Sequence, residues 1–329
     1  MSSNGIDVVY LWCDGSDPLF SDRKKARLIE QGLTWNENNL GSIRYFDNSE
    51  LKYSLRSVSR YLPWINHIFI VTDGQRPVWL RDNPKLTIVD HREIIPAELL
   101  PTFNSVTIEM YLHKIPNLSE KFLFFNDDMF INAPLNPDFF FQNEKPVVRL
   151  IRDHDRWQFK TLQDCDFALK DPKISSHRRS LLNAWRLFCS KRGVNDFYML
   201  AHTVDGFSKT MIRQVLESFP ELLERNQRPF RTDDDIQRVI FQLEMVKTLS
   251  CPLHEIQPLT FGQKHLWWMF RKEIESFEGT ESPKTWDRIR RFKPKMFCLN
   301  SAVNATEEIK KKSAELLEEL FPTPSQFER

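Results

Sequence analysis

One stretch constrains this chain more than any other: Lys121-Phe122-Leu123-Phe124-Phe125-Asn126-Asp127-Asp128-Met129-Phe130-Ile131. Its apolar run shows no polar alternation, the pattern of a strand covered on both faces. Such strands belong to parallel sheets lying between helices, so this run alone argues for an α/β architecture. Asp127 and Asp128 then stand side by side at the strand's exit, before Met129-Phe130-Ile131 returns to apolar character. Adjacent carboxylates repel each other and lose water there, and both effects favour the protonated form. A divalent cation, alone or with phosphates, relieves that cost. An Asx turn closing the strand explains an isolated Asn-Asp-Asp equally well, because Asn and Asp are ordinary turn residues.

Other segments tilt the balance. Ile6–Trp12, His67–Thr72 and Leu86–Val89 read as strands, and two of them end in polar turns, Cys13-Asp14-Gly15-Ser16-Asp17-Pro18 and Asp73-Gly74-Gln75. A helix with Leu51, Leu55, Val58 and Tyr61 on one face lies between the first two, with Asn48 or Ser49 as N-cap and Glu50 in its first turn. Arg56 and Arg60 are one turn apart on it and open to phosphate. The alternation predicts an α/β fold: a Rossmann-like or GT-A-like mostly parallel sheet flanked by helices, with a helical insertion and a C-terminal helical segment. The strand ends at Asp14, Asp73 and Asp127/Asp128 then crowd one rim, where open α/β sheets bind ligands. After Leu100-Pro101-Thr102-Phe103, a helix capped by Asn104 or Ser105 runs to about Leu112 and offers a phosphate seat at its start. Glu109 and His113 share a face of that region.

Further along, Pro146–Leu150 is a short strand, and 152–195 reads as a charged helical insertion carrying Trp157, Trp185 and Arg178-Arg179. Phe197–Ala201 delivers His202, and a helix follows over 208–218. Thr232 caps a helix with Asp233, Asp234 and Asp235 in its first turn and an Ile236, Val239, Ile240, Leu243, Val246 stripe. Lys284, Arg288, Arg290, Arg291, Lys293 and Lys295 form the strongest basic cluster, suited to an anionic polymer, a phospholipid surface or a nucleotide. No nucleic-acid-binding module surrounds it, which argues against that partner. Ile309, Leu316, Leu317 and Leu320 make the tail an amphipathic helix that docks on the body or on a partner subunit.

Composition narrows the class. A formal net charge of +1 over 329 residues draws the chain to no polyanion as a whole, so an anion site must be local. No apolar run approaches the roughly 18 residues of a membrane span, and the start lacks the basic and apolar regions of a signal peptide. Five scattered cysteines with no Cys-x-x-Cys pair suggest reduced thiols in a cytoplasmic protein and speak against structural zinc. Neither a Gly-rich dinucleotide fingerprint nor a Walker loop occurs.

Four blocks together resemble the Stealth proteins, bacterial capsular polysaccharide phosphotransferases related to the animal GlcNAc-1-phosphotransferase of lysosomal targeting. They are Ile6-Asp7-Val8-Val9-Tyr10-Leu11-Trp12-Cys13-Asp14-Gly15-Ser16-Asp17-Pro18; a long block from Arg44 through Asp47-Asn48-Ser49-Glu50 and Ile70-Val71-Thr72-Asp73-Gly74-Gln75 to Asn126-Asp127-Asp128; His202 to Asp235; and Phe297-Cys298-Leu299-Asn300. Cys13 stands where an aliphatic residue is usual, His202 is followed by Thr-Val rather than an apolar residue and Pro, and Ser301 stands where Asp is common.

The resemblance implies transfer of a sugar 1-phosphate from a UDP-sugar to a hydroxyl of a glycan acceptor, with release of UMP. It implies Mg²⁺ or Mn²⁺ held by Asp127 and Asp128. His202 is implied as catalytic base or phosphoryl carrier, with Arg231, Glu50 and Asp128 as further catalytic groups. Substrate-binding positions carried over are Asp14, Gly15, Asp17, Arg56, Asp73, Thr102, Asn104, Ser105, Asn126 and Arg228, with Arg56 supporting Arg231 on the diphosphate. The expected organisation is an α/β nucleotide-sugar-binding part over 1–150, the helical insertion over 151–196, the remainder of the catalytic domain over 197–300 and the tail helix over 301–329. The expected setting is the cytoplasm, with peripheral membrane association through the 284–295 cluster and self-association as further expectations. Two other readings stay open: a metal-dependent glycosyltransferase that releases UDP, and a non-catalytic polysaccharide-binding protein on the same sheet.

Overall fold

Uninterrupted aliphatic and aromatic residues make β1 (Ile6–Leu11), β2 (Ile68–Thr72), β3 (Leu86–Asp90) and β4 (Lys121–Asn126). The computed structural model describes residues 5–34, 45, 47–152, 161–195, 197–256, 276–301 and 306–329. Arg44 and Trp157, singled out in the sequence, lie outside them. Further along come β5 (Met129–Ile131), a hairpin of β6 (Phe141–Gln142) and β7 (Lys145–Pro146), then β8 (Val148–Arg152), β9 (Tyr198–Leu200), β10 (Asp205–Ser208), β11 (Leu253–Glu255), β12 (Ser276–Thr280) and β13 (Met296–Asn300).

The main sheet has the order β10-β4-β1-β2-β3. β4, β1, β2 and β3 are mutually parallel, and β10 closes the sheet as an antiparallel edge against β4. Leu11 pairs with Asn126 on one side and Val71 on the other, so the turns after β1, β2 and β4 leave the sheet at one end. This is the mixed α/β architecture that the alternation predicts.

Both faces of the sheet are covered, which explains the continuous apolar run in β4. Phe122 and Phe124 face one core; Leu123 and Phe125 face another, as the period of two requires. The first core is closed by α3 (Ser105–Tyr111), α5 (Ser176–Arg192), α6 (Lys209–Ser218) and α7 (Val239–Lys247); α4 (Leu162–Leu169) packs on α5. The second is closed by α2 (Glu50–Tyr61) through Leu51, Leu55 and Val58. α1 (Pro18–Glu30) follows β1 and is capped by Asp17. In the segment read as an insertion, Trp185 is fully buried in the first core and donates its indole N–H to the Tyr198 carbonyl at 2.6 Å.

The helix expected to begin at Thr232 begins instead at Val239. The Asn226 side chain bonds both the N–H (2.7 Å) and the carbonyl (2.9 Å) of Ile236, and the Asn183 amide donates to the carbonyls of Asp233 and Asp235. Those bonds hold 233–236 out of helical pairing. Asp235 is accordingly a buried brace, its carboxylate accepting from the Asn104 amide at 3.2 Å. The strand expected over Pro146–Leu150 is displaced to Val148–Arg152.

A second small sheet, β12-β13-β5, stands beside the first. α8 (Pro283–Phe292) connects its two parallel strands, and α9 (Glu307–Leu320) packs on α8 through Trp286, Ile289, Leu316 and Leu317. The tail helix therefore docks on its own body. The last residues run on to a bridge between Leu80 and Glu328.

Arg56 needs correction here. Its guanidinium lies in a buried ion pair with Glu328, both side chains 5% exposed, and also bonds Glu318 and the Phe321 carbonyl. Four of its five N–H donors pin the C-terminal segment to α2. Removing one partner strands the other charge without water, at a typical cost of about 3–5 kcal/mol. Arg56→Met is expected to lower unfolding stability by about that amount in urea denaturation, while donor KM of the folded fraction stays at its wild-type value. A large KM increase with unchanged stability is the opposite outcome.

Candidate functional site

β4 belongs to the main sheet and β5 to the small one, so Asp127 and Asp128 occupy the turn where the chain passes between sheets. The Asp128 carbonyl accepts from Leu299 N–H at 3.0 Å, tying the turn to β13. From α2, the Ser54 hydroxyl donates to the Met129 carbonyl at 2.5 Å, and the Ser57 hydroxyl accepts from Ile131 N–H at 3.1 Å. The two carboxylates are thus held by backbone bonds on both sides.

Four acids converge on this turn. Asp127 is held protonated well above the usual carboxylate range by burial, then by the charges of Asp128, Glu50 and Asp47. Burial also raises Asp128, against the pull of His202 and a hydrogen bond with the Cys298 thiol. Glu50, 4% exposed, is pushed up to about 8, chiefly by desolvation. The turn before α2 positions it: Asp47 accepts from Ser49 N–H at 3.0 Å and Glu50 from Asn48 N–H at 2.5 Å. Ser49 adopts φ 66 and makes no side-chain cap, so the expected capping role of Asn48 or Ser49 gives way to this Asp47–Glu50 turn. A left-handed serine is sparsely populated and is held there by its surroundings.

His202 lies between β9 and β10 and faces the same turn. Its Nδ1 is 2.7 Å from Glu278 Oε1, and Asn300 donates to that oxygen at 2.9 Å. Burial alone would lower the imidazole pKa; Glu278 and then Asp128 more than offset it, and the net shift is upward. Behind it lies a buried ionic group, Arg238 with Asp205 at 2.9 Å and with Glu109 at 3.8 Å. The charges of Arg231 and His202 both act on Glu109, which puts imidazole, guanidinium and the Asp128 turn in one neighbourhood. Arg231 donates to Ser105 Oγ at 2.6 Å. That placement follows from a zipper in which Phe103 N–H donates to the Pro229 carbonyl and the Phe103 and Phe230 rings stack at 5.3 Å.

Other sequence-derived candidates are placed differently. Asn104 is fully buried, its oxygen accepting from Val106 N–H and its amide bonding Asp235 and Phe230, so it braces the loop instead of seating a phosphate. Buried Thr102 donates to the Arg228 carbonyl, while the Arg228 side chain is exposed and donates to the neighbouring Gln227 carbonyl. Asp73 is paired with Arg23 at 2.9 Å, tying α1 to β2. Asp17 caps α1 and accepts from Gln75, whose amide also bonds the Asp14 backbone. Asp14 accepts from Ser16, and its charge reaches Asp47. Gly15 is required by close approach: a Cβ there would lie 2.5 Å from the Tyr45 carbonyl oxygen. Asn126 ends β4 at the rim.

Sequence reasoning missed Glu278, Asp205 and Arg238. Arg238 left a signal, a charge inside the Ile236-to-Val246 apolar stripe, which marks a buried ion pair. Glu278 left none, because it sits in a short strand far along the chain from His202.

Whether the turn suits a divalent cation can be judged from its own atoms. Asp128 Oδ1 is buried without a hydrogen-bond partner among the described residues, and three further carboxylates act on Asp127. Among the described residues no three His, Cys, Asp or Glu side chains form a ready-made cage. Two carboxylates completed by diphosphate oxygens and water is the usual manner of Mg²⁺, and the residues fit it.

Residues 44–148 match the model of Stealth protein CR2, conserved region 2, and residues 287–329 that of Stealth protein CR4, conserved region 4. The capsular polysaccharide phosphotransferase LcbA of Aeromonas hydrophila is 45% identical over 261 residues, covering 76% of this chain and 69% of that protein. The capsular polysaccharide phosphotransferase cps1A of Actinobacillus pleuropneumoniae is 35% identical over 72% of this chain and 63% of its own length. The exopolysaccharide phosphotransferase CpsY of Mycobacterium leprae is 32% identical over 98% of this chain and 57% of its own. The chain thus spans under two thirds of the length of cps1A and CpsY. Among solved structures, the galactosyltransferase LgtC aligns over 98% of both chains at 11% identity, with a TM-score of 0.42. Among the described residues no helix is long and apolar enough to cross a membrane.

Two measurements check the electrostatics. The His202 imidazole, followed by NMR, is expected to titrate above the ordinary value of about 6.5, and Glu278→Gln to bring it down. Because its folded value is raised, the pair adds stability below the ordinary imidazole pKa, and that contribution fades as pH rises through the raised value. The acid cluster has the same sign: native Glu50 holds its proton up to about 8, so stability falls as pH climbs from the ordinary carboxylate range towards 8. Asp127→Asn removes one of the repelling charges and is expected to raise unfolding stability at pH 8 by about 1 kcal/mol, as relief of a strained site commonly does.

Proposed function

The chain belongs to the Stealth family, and from that membership we propose that it transfers a sugar 1-phosphate from a UDP-sugar to a hydroxyl of a glycan acceptor. UMP is released, and a phosphodiester of a capsular or cell-surface polysaccharide is formed. The observation that carries this reading is His202, hydrogen-bonded to Glu278 on one side and facing the Asp127-Asp128 turn on the other.

An ionised carboxylate can only accept, so Glu278 fixes the imidazole with its proton on Nδ1 and leaves Nε2 free. Nε2 takes the proton of the acceptor hydroxyl as its oxygen bonds to the phosphorus next to the sugar. The bond from that phosphorus to the UMP oxygen breaks, and UMP leaves as a phosphate that needs no proton. Glu278 stabilises the imidazolium formed, and Asn300 keeps Glu278 in line. Arg231, at the mouth of the zippered loop, offers its guanidinium to the diphosphate. Asp127 and Asp128 would hold Mg²⁺ or Mn²⁺, which when bound neutralises diphosphate oxygens. Asp14 and the turn around Gly15 border the nucleotide side.

The relatives' names, capsular and exopolysaccharide phosphotransferase, support the reaction class. The donor sugar and the UMP product rest on the chemistry above. The protein would be incubated with a panel of UDP-sugars, Mg²⁺ and a capsular oligosaccharide. The reading requires UMP in the nucleotide fraction and a new phosphodiester signal by phosphorus NMR. Release of UDP instead would make the chain a glycosyltransferase. His202→Ala is expected to lower turnover by roughly 10²–10⁴-fold, the usual contribution of a positioned proton-transfer group.

A further inference from the structure

α8 turns Thr285, Trp286 and Ile289 into the protein and leaves its other side to solvent. Lys284, Arg288 and Arg291 recur there at i, i+4 and i+7, and Lys293 stands just past the helix end; all four are exposed. None has a carboxylate partner among the described residues, whereas Arg290, round the helix, is paired with Glu319 at 2.7 Å. The helix's one acid, Asp287, lends its charge to Arg290. The row and the candidate site share one strand–helix unit: α8 starts three residues after β12, whose Glu278 bonds His202, and Glu281 N–H donates to the carbonyl of Asn300 at 3.0 Å.

We propose that this cationic row is a second binding site, which holds a polyanionic glycan bearing phosphodiester charges as it leads into the reaction centre. The inference rests on the transfer reading above, because that reaction adds one negative charge with each unit and makes its own product a polyanion. Successive cations along the helix are about 6 and 4.5 Å apart, so one chain meets them in turn. Two of the four are arginines, whose planar fork matches a phosphodiester. A membrane surface is the less suitable occupant: interfacial helices also insert apolar side chains, and the exposed large hydrophobic residues among those described, Leu19, Ile29, Leu33, Val78 and Phe167, all lie elsewhere.

The test uses the full chain and poly(glycerol phosphate) as probe, with neutral dextran and phosphatidylglycerol vesicles as the other arms. Binding of the poly(glycerol phosphate) is expected, weakening as salt rises, with none to dextran. The triple variant Lys284→Glu, Arg288→Glu, Arg291→Glu should lose affinity by about tenfold or more, with an unchanged melting temperature showing that it is folded. Equal binding by the variant overturns the proposal, as does binding to the vesicles with none to the polymer. Polymer binding that depends on the row, in a protein that releases no UMP, supports the row and sinks the transfer reading instead. UMP release with binding that ignores the row does the reverse.

Discussion

The site depends on carboxylates forced together where the chain steps from one sheet into another. Asp127 and Asp128 cannot move apart, because β4 is locked into the parallel sheet and β5 into the antiparallel pairing with β13. The α2 hydroxyls of Ser54 and Ser57 replace the ladder bonds that β5 lacks on its other side. Packing therefore imposes a charge arrangement that electrostatics opposes, and protonation of Asp127 and Glu50 partly relieves it. Strain of this kind, sustained by a well-packed frame, is characteristic of places where a ligand supplies the missing charge.

The frame also sorts the charged groups. Arg56, Asp73 and Asp17 each bind an element of the protein to another: α2 to the C-terminal segment, α1 to β2, and the β1 turn to Gln75. They make the rim rigid. Asp128 Oδ1 is different, buried with no hydrogen-bond partner among the described residues, and the exposed cations of the row on α8 have no carboxylate partner among them. Side chains held by rigid neighbours, rather than by flexible loops of their own, keep a fixed geometry. Glu278 illustrates the point. It touches His202 from a strand of the other sheet, and Asn300, two strand positions past Cys298, keeps it there.

Much of the architecture was legible beforehand for a simple reason: strand patterning is local. The uninterrupted run at Phe122–Phe125 is enough to call for two covered faces, and parallel neighbours bring the ends of β1, β2 and β4 to one rim. Local signals misled where tertiary bonds competed with them. The Thr232-Asp233-Asp234-Asp235 sequence has every mark of a helix start, yet Asn226 and Asn183 capture that backbone first. Asn104 looks like a cap facing a ligand, and it does cap, but from inside the core.

What the chain's order of residues determined alone was the α/β layering, the acidic turn at the exit of β4 and the cationic spacing at Lys284, Arg288 and Arg291, because each depends on near neighbours and fixed periodicities. Which charges remain available was settled only in three dimensions. Arg56 and Arg231 are equally plausible phosphate ligands on paper; a carboxylate 272 residues away occupies the first, whereas the second is held beside Ser105 with its charge turned towards Glu109. The partnership of His202 with Glu278 spans 76 residues and two sheets. Long-range pairing of this kind leaves no periodic trace, since it is the packing of whole elements that brings such side chains together.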